Sequence, residues 1–370
     1  MHLRRLLLVN FRNYSQVNID FSSNVNFLYG LNAAGKTNLL EAIYLLCLGR
    51  SFRLAKNQEL IKRDTENFII EGELTLDNGI EKLVIVNYVR NLKKEVSLNK
   101  KRLRGYSEIF GQFPIVVMAP DEFKITLGGP TERRRFLDIL LSQVSPLYLA
   151  NLQEYNRILK QRNKILQSIR DGHFKHQSSL DPWTENLIKI GIQIITDRLK
   201  AIDEFSPILS SIFKRFGSNE DEVEISIKST TENKNGEVSE ESFREALFSQ
   251  QTRERAMGLT FVGPHRDDML MKVNGLEMRR YGSRGEHKSL LIALKIAEFK
   301  YLQEKKNEKP IMLLDDCYSE LDDRREKSAF DSILGLGQIF LTSPKKMVTI
   351  ENSSESVQKF KVENGYVERY

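Results

Sequence analysis

The pattern of apolar and polar positions changes character twice along the chain. Up to about residue 130, short β-type runs follow one another: Arg5 to Val9, Val17 to Phe21, Val25 to Tyr29, Phe68 to Leu76, Lys82 to Tyr88 and Ile115 to Met118. Runs of this kind bounded by polar residues predict strands, and Asp77-Asn78-Gly79 predicts a hairpin turn between two of them. From Thr131 to about Phe216 the period becomes helical. Leu149, Leu152, Ile158, Leu159, Ile165, Leu166 and Ile169 fall on one stripe; Leu187, Ile190, Ile194, Ile195, Leu199 and Ile202 fall on a second. A polar break from Asp171-Gly172 to Asp181-Pro182 separates them, which predicts an antiparallel helical hairpin. A strand from Val223 to Ile227, a polar stretch from Thr230 to Ser239 and a short helix from Glu241 to Glu254 follow.

From Leu259 the β pattern returns, through Met269 to Val273 and Glu277 to Tyr281. A long helix is expected from Gly285 to about Leu302, then buried strands at Ile311 to Leu314 and Ile339 to Thr342. Strands and helices at both ends with helices between predict an α/β protein with mixed sheets. One head domain, residues 1–130 plus 256–370, would be split by a helical insertion at 131–255.

Composition narrows this little. The chain has 370 residues, 29% of them charged, and a net charge of +6, which suits a partner carrying negative charge without requiring one. Cys47 and Cys317 are the only cysteines, too few for a disulfide framework, so a reducing, cytoplasmic setting is expected. No run approaches the roughly 20 apolar residues of a membrane span. Lys93, Lys94, Lys100, Lys101, Arg102 and Arg104 crowd one β-rich stretch, either a solvated face or a phosphate contact.

Chemistry enters at Gly30-Leu31-Asn32-Ala33-Ala34-Gly35-Lys36-Thr37, which fits the phosphate-loop template G-x-x-x-x-G-K-[ST]. It lies between the Val25 to Tyr29 strand and a helical pattern that opens with Asn38 and Leu39. Backbone N–H groups of such a loop wrap phosphates. Lys36 would reach the β- and γ-phosphates, and the Thr37 hydroxyl would hold Mg²⁺. Pro310 to Asp316 is an apolar strand ending in two carboxylates. Beside a phosphate loop, Asp315 would join the Mg²⁺ shell, and Asp316 would orient or deprotonate water. Thus Lys36 and Asp316 are the catalytic candidates, with ATP and Mg²⁺ as cofactors.

Two further blocks resemble parts of ATP-binding-cassette (ABC) proteins. Ser319-Glu320-Leu321-Asp322 is similar to the loop that meets a dimer interface. Ser283-Arg284-Gly285-Glu286 resembles the ABC signature, which sets a Ser, a Gly and a helix N-terminus against a nucleotide held by the other subunit. Ser283 and Glu286 are also spaced as a capping box, and Glu286 stands where Gln is usual. It would either turn back to the Ser283 N–H or weaken ATP-driven dimerisation.

Taken in order, the blocks resemble the RecF family, bacterial DNA recombination and repair ATPases of the ABC/SMC class. They are Phe11-Arg12-Asn13-Tyr14, Gly30 to Tyr44, Gly49 to Arg53, Pro120-Asp121, Gly128 to Pro130, Arg133 to Asp138, Lys160 to Asn163, Gly263 to Asp268, Ser283 to Gly285 and the Leu314 to Asp322 block. The resemblance implies an ABC/SMC-type ATPase head with a helical lobe, and an ATP-dependent homodimer that clamps double-stranded DNA at single-strand junctions. RecR and RecO would be partners, and RecA loading the outcome, with slow hydrolysis releasing the clamp. Arg12 would touch phosphate or the adenine side. Arg133 to Arg135 would be DNA contacts or helix ion pairs, and His265 leans to a structural role. A metabolic P-loop kinase and an SMC or nuclease-linked head are the rival readings. The kinase has no need of the Ser283 and Ser319 blocks, and the SMC head needs a far longer coiled coil.

Overall fold

The computed structural model describes residues 1–173, 180–215, 221–316, 333–344 and 357–370. The chain divides into two compact units: Met1–Phe123, Arg215–Gly217 and Lys288–Tyr370 form one, Lys124–Lys214 and Ser218–His287 the other. Unit 1 opens with strands β1 (His2–Phe11), β2 (Tyr14–Asp20) and β3 (Val25–Tyr29), then helix α1 (Lys36–Leu48). Strands β4 (Asn67–Thr75), β5 (Glu81–Val89), β6 (Glu95–Leu98), β7 (Lys101–Arg102) and β8 (Ile115–Met118) follow. Unit 2 carries α2 (Lys124–Leu127), α3 (Pro130–Val144), α4 (Pro146–Arg170), α5 (Asp181–Phe213), β9 (Val223–Lys228), α6 (Glu240–Met257), β10 (Asp268–Val273), β11 (Leu276–Glu277) and α7 (Met278–Tyr281). Helix α8 (Arg284–Lys306) leads back to β12 (Ile311–Asp315), β13 (Ile339–Ser343), β14 (Val357–Glu363) and β15 (Tyr366–Arg369).

Two six-stranded sheets build unit 1. One is antiparallel, in the order β2-β1-β4-β5-β6-β7; the other runs β15-β14-β3-β13-β12-β8 and is parallel except at β15. The patterns explain the difference. In β4 every second residue is buried, as one covered face requires, whereas all five residues of β12 and of β13 are buried. Strands covered on both faces belong to parallel sheets. Helix α1 touches strands of both sheets and buries eleven of its thirteen residues, so it lacks a polar face. It lies so close to β4 that a Cβ on Gly72 would meet Leu46 Cδ2 at 2.1 Å. At the far edge of the antiparallel sheet, Lys93, Lys100 and Lys101 are exposed, a common guard against edge pairing. Lys94 differs: its ammonium donates to Gly49 O and lies 5.1 Å from the Tyr106 ring centre. Burial pushes its pKa down to about 8.

Unit 2 packs α3 to α6 and a three-stranded sheet, β11-β10-β9, around apolar residues that include Ile188, Ile195, Phe243, Leu247 and Val262. The pairing of β10 with β9 draws residues 256–287 into this unit. The boundaries therefore differ from those expected at 130/131 and 255/256. The expected helical hairpin is present as α4 and α5. Glu277 to Tyr281, expected as β, is mostly the short helix α7, because pairing with β10 ends at Glu277. No described helix is long and apolar enough to cross a membrane.

Candidate nucleotide site and family

Strand register brings the site together in unit 1. In the parallel sheet, Leu28 pairs with Thr342 and Thr342 with Asp315. The C-terminal ends of β3, β13 and β12 therefore stand side by side, the place where open α/β sheets bind ligands. The loop from Gly30 to Gly35 leaves β3, and α1 begins at Lys36. Across that edge Thr37 Oγ1 donates to Asp315 Oδ1 at 2.9 Å. Lys36 Nζ donates to Gly30 O at 2.8 Å and Leu31 O at 3.1 Å, so the ammonium closes over its own loop. Burial lowers the Lys36 pKa, and the nearby Asp316 and Asp315 charges oppose that shift. Burial raises the Asp315 pKa; the Thr37 and Thr342 hydroxyls oppose it, and the Asp316 charge adds to it.

Sequence reasoning missed what holds the loop from behind. Asn13 Nδ2 donates to Ala34 O at 3.0 Å, and Tyr14 OH donates to Gly35 O at 3.0 Å. Asn38 Nδ2 donates to Asn13 Oδ1 at 2.8 Å, and the β14–β15 turn adds Gly365 N–H to Ala34 O at 3.3 Å. Gly35 sits at φ 123°, where an added Cβ would meet Asn13 Nδ2 at 2.6 Å. Ala33 has φ 64°. That backbone costs an alanine roughly 1–2 kcal/mol, and bonds to the neighbouring carbonyls help to hold it. The sequence signal for this backing was the Phe11-Arg12-Asn13-Tyr14 block itself, which carries no chemistry when read alone.

Arg12 is paired with a carboxylate of α1. Its Nε and Nη2 both donate at 2.8 Å to the carboxylate of Glu41, a fully buried residue of α1, and its Nη1 donates to Glu59 O at 2.9 Å. Ser51 Oγ also donates to Glu41, and Arg53 Nη1 lies 3.8 Å from it. The Gly49 to Arg53 block thus fastens α1 through a carboxylate that sequence reasoning did not single out.

In unit 2, Ser283 N–H donates to Glu286 Oε2 at 2.7 Å and Glu286 N–H to Ser283 Oγ at 3.3 Å, a reciprocal capping box that opens α8. The same bonds hold the Glu286 pKa below the usual carboxylate value. Of the two expectations for Glu286, the structure shows the turned-back one. Gly285 lies in the first turn of α8. The Ser319-Glu320-Leu321-Asp322 block falls outside the described residues.

The family blocks between Gly128 and Asp268 brace unit 2. Arg133 forks onto Asp268 at 2.7 and 2.9 Å, and Arg134 Nη1 donates to Asp267 O at 2.7 Å. Arg162 donates to Glu254 at 2.7 Å and Thr260 at 2.6 Å. Arg198 reaches Asp138 at 2.8 Å, Tyr148 OH at 3.1 Å and Pro264 O at 2.7 Å. His265 bonds Tyr155 OH at 2.8 Å and Thr260 O at 3.1 Å, and burial pushes its pKa down to about 4, in keeping with a structural role.

Oxygen donors from Thr37 and Asp315 suit a hard cation such as Mg²⁺, which also draws ligands from phosphate. Among the described residues, no group of three or more His, Cys, Asp and Glu could hold a metal ion.

Comparison with known proteins identifies the family to which this fold belongs. The family model described as RecF/RecN/SMC N terminal domain matches residues 2–368. An Smc head domain from Pyrococcus furiosus, 17% identical, aligns with a TM-score of 0.57 over 100% of this chain and 96% of its own, a likeness of fold alone. Fold and site together define a mixed α/β ATPase head of the RecF/RecN/SMC class. A DNA replication and repair protein RecF from Lachnoclostridium phytofermentans is 35% identical over 370 residues, all of both chains. A solved structure described as the recombination mediator protein RecF-ATPrS in the RecFOR pathway is 34% identical. It aligns with a TM-score of 0.91 over 100% of this chain and 98% of its own. The chain belongs to the RecF family.

Proposed function

We propose that this chain is an ATP-dependent DNA-binding protein of replication and recombinational repair that acts with RecO and RecR. The observation that carries the reading is the 2.9 Å contact between Thr37 Oγ1 and Asp315 Oδ1, which joins the phosphate loop to the end of β12. It is supported by the names of the full-length relatives and by solved RecF structures described with ATP and ATPrS.

On this reading the loop N–H groups from Leu31 to Asn38 cradle the phosphates at the start of α1. Lys36 exchanges a loop carbonyl for a phosphate oxygen. Thr37 and Asp315 hold Mg²⁺, which supplies charge neutralisation on the phosphates when bound. Asp316 orients water, and its short side chain suits the slow turnover expected of a switch. Ser283 and Gly285 of a second copy close the site, so nucleotide favours a homodimer that clamps DNA at single-strand/double-strand junctions and promotes RecA loading. Hydrolysis releases it.

The test is binding to gapped, duplex and single-stranded DNA with and without ATP, for the natural chain, Lys36→Arg and Ser283→Arg. ATP should tighten binding to gapped DNA, and both substitutions should remove that gain. Ser283→Arg should still bind ATP yet fail to dimerise on a sizing column. DNA binding indifferent to ATP in the natural chain would sink the reading.

A further inference from the structure

Thr342 has no part in the functional reading so far. It is the fourth residue of β13, is 2% exposed, and pairs in register with Leu28 on one side and Asp315 on the other. Its hydroxyl makes two bonds with distinct partners. Thr342 Oγ1 donates to Asp315 Oδ1 at 2.9 Å and accepts from the Asp316 N–H at 3.0 Å. Leu314 O, at 3.5 Å, lies at the outer limit of a hydrogen bond. A hydroxyl has one proton and two lone pairs, so it can make both bonds at once. Asp316 has φ 49°, a left-handed backbone on a residue with a side chain. The direction in which its carboxylate leaves the strand therefore depends on that conformation being held.

We infer that Thr342 is a positioning residue for both carboxylates at the end of β12. Through its proton it shares Asp315 Oδ1 with Thr37, so Asp315 keeps a fixed orientation when Thr37 turns its oxygen towards a cation. Through its lone pair it steadies the left-handed backbone of Asp316, and with it the carboxylate assigned to water. Valine has nearly the same shape and can do neither; serine can do both. The inference rests on the reading of this sheet edge as an Mg-ATP site, and it adds a residue that touches neither phosphate nor water.

The test compares the full chain with Thr342→Val and Thr342→Ser. One lost hydrogen bond is worth about 1–1.5 kcal/mol, or roughly tenfold. The kcat for ATP hydrolysis should fall about tenfold in Thr342→Val with KM for ATP within about threefold, and Thr342→Ser should recover most of it. In nucleotide-free protein, amide exchange at Asp316 should quicken roughly tenfold in Thr342→Val and stay near the natural rate in Thr342→Ser. Unchanged kcat and unchanged exchange in Thr342→Val would overturn the inference. So would a serine variant as impaired as the valine one, since the methyl group would then be at work. If the natural chain turned over no ATP, the site reading would fail, and exchange alone would decide the role of Thr342.

Discussion

The carboxylate at the phosphate-loop edge of unit 1 and three carboxylates that brace unit 2 are held by different chemistry. In unit 1, Asp315 accepts from two neutral hydroxyls, those of Thr37 and Thr342. In unit 2, Asp138, Asp268 and Glu254 accept from the guanidinium groups of Arg198, Arg133 and Arg162. A hydroxyl bond can be given up for a ligand at a net cost of about 1 kcal/mol. Removing one partner of a buried ion pair costs about 3–5 kcal/mol, because the other charge is stranded. The hydroxyl-held carboxylate of the strand end therefore stays available, whereas the helical unit consumes its ion pairs in holding α3 to α6 and β10 together. Residue type alone does not separate a working charge from a bracing one; the partner does.

The contrast breaks most visibly at Arg198. Arg198→Ala should destabilise the protein by about 3–5 kcal/mol in denaturant unfolding. Asp315→Asn, by comparison, should change stability by less than about 1 kcal/mol while cutting ATP turnover by about a hundredfold. A loss under about 1 kcal/mol for Arg198→Ala would erase the distinction.

Next in size is a pH effect. The folded His265 pKa is about 4, below its ordinary 6.5. Between those values the unfolded chain takes the proton and the folded one does not. The stability this histidine contributes is complete above pH 6.5 and is lost as pH falls towards 4, about 3 kcal/mol in all. His265→Asn should flatten the stability profile across that window; an unaltered slope would mean another group sets it.

The smallest effect concerns Glu286. Glu286→Gln keeps an oxygen for the Ser283 N–H and removes a charge at the start of α8, for a loss of about 0.3–1 kcal/mol in stability. If that helix start faces a second copy's γ-phosphate, the ATP-dependent dimer should tighten several-fold by analytical ultracentrifugation. Unchanged or weaker association would leave the capping box as the whole role of Ser283 and Glu286.

How far the molecule could be read in advance follows the same divide between local and distant partners. Strands β3, β8, β12 and β13 were legible because apolar runs of that density fit only buried strands. The loop and Asp315 were legible because their chemistry is carried by residues adjacent in sequence. The unit boundary was not, since the pairing of β9 with β10 joins Val223–Lys228 to Asp268–Val273 and is no property of either segment. The pairing of Arg12 was not legible for a similar reason: its partner Glu41 is a carboxylate inside an apolar helix, and nothing nearby in sequence announces the pair. Strands β14 and β15 were missed because their alternation is weak, with one strand mostly exposed.

The bonds behind the phosphate loop bear on how variants of this chain should be interpreted. Asn13 and Tyr14 reach the carbonyls of Ala34 and Gly35, so their substitution would let the loop relax with its own residues unaltered. The resulting defect would present as weak nucleotide affinity, indistinguishable in a growth assay from a change at Lys36. A genetic survey of the loop alone would therefore overlook determinants that lie some twenty positions upstream and, at Gly365, close to the opposite end of the chain.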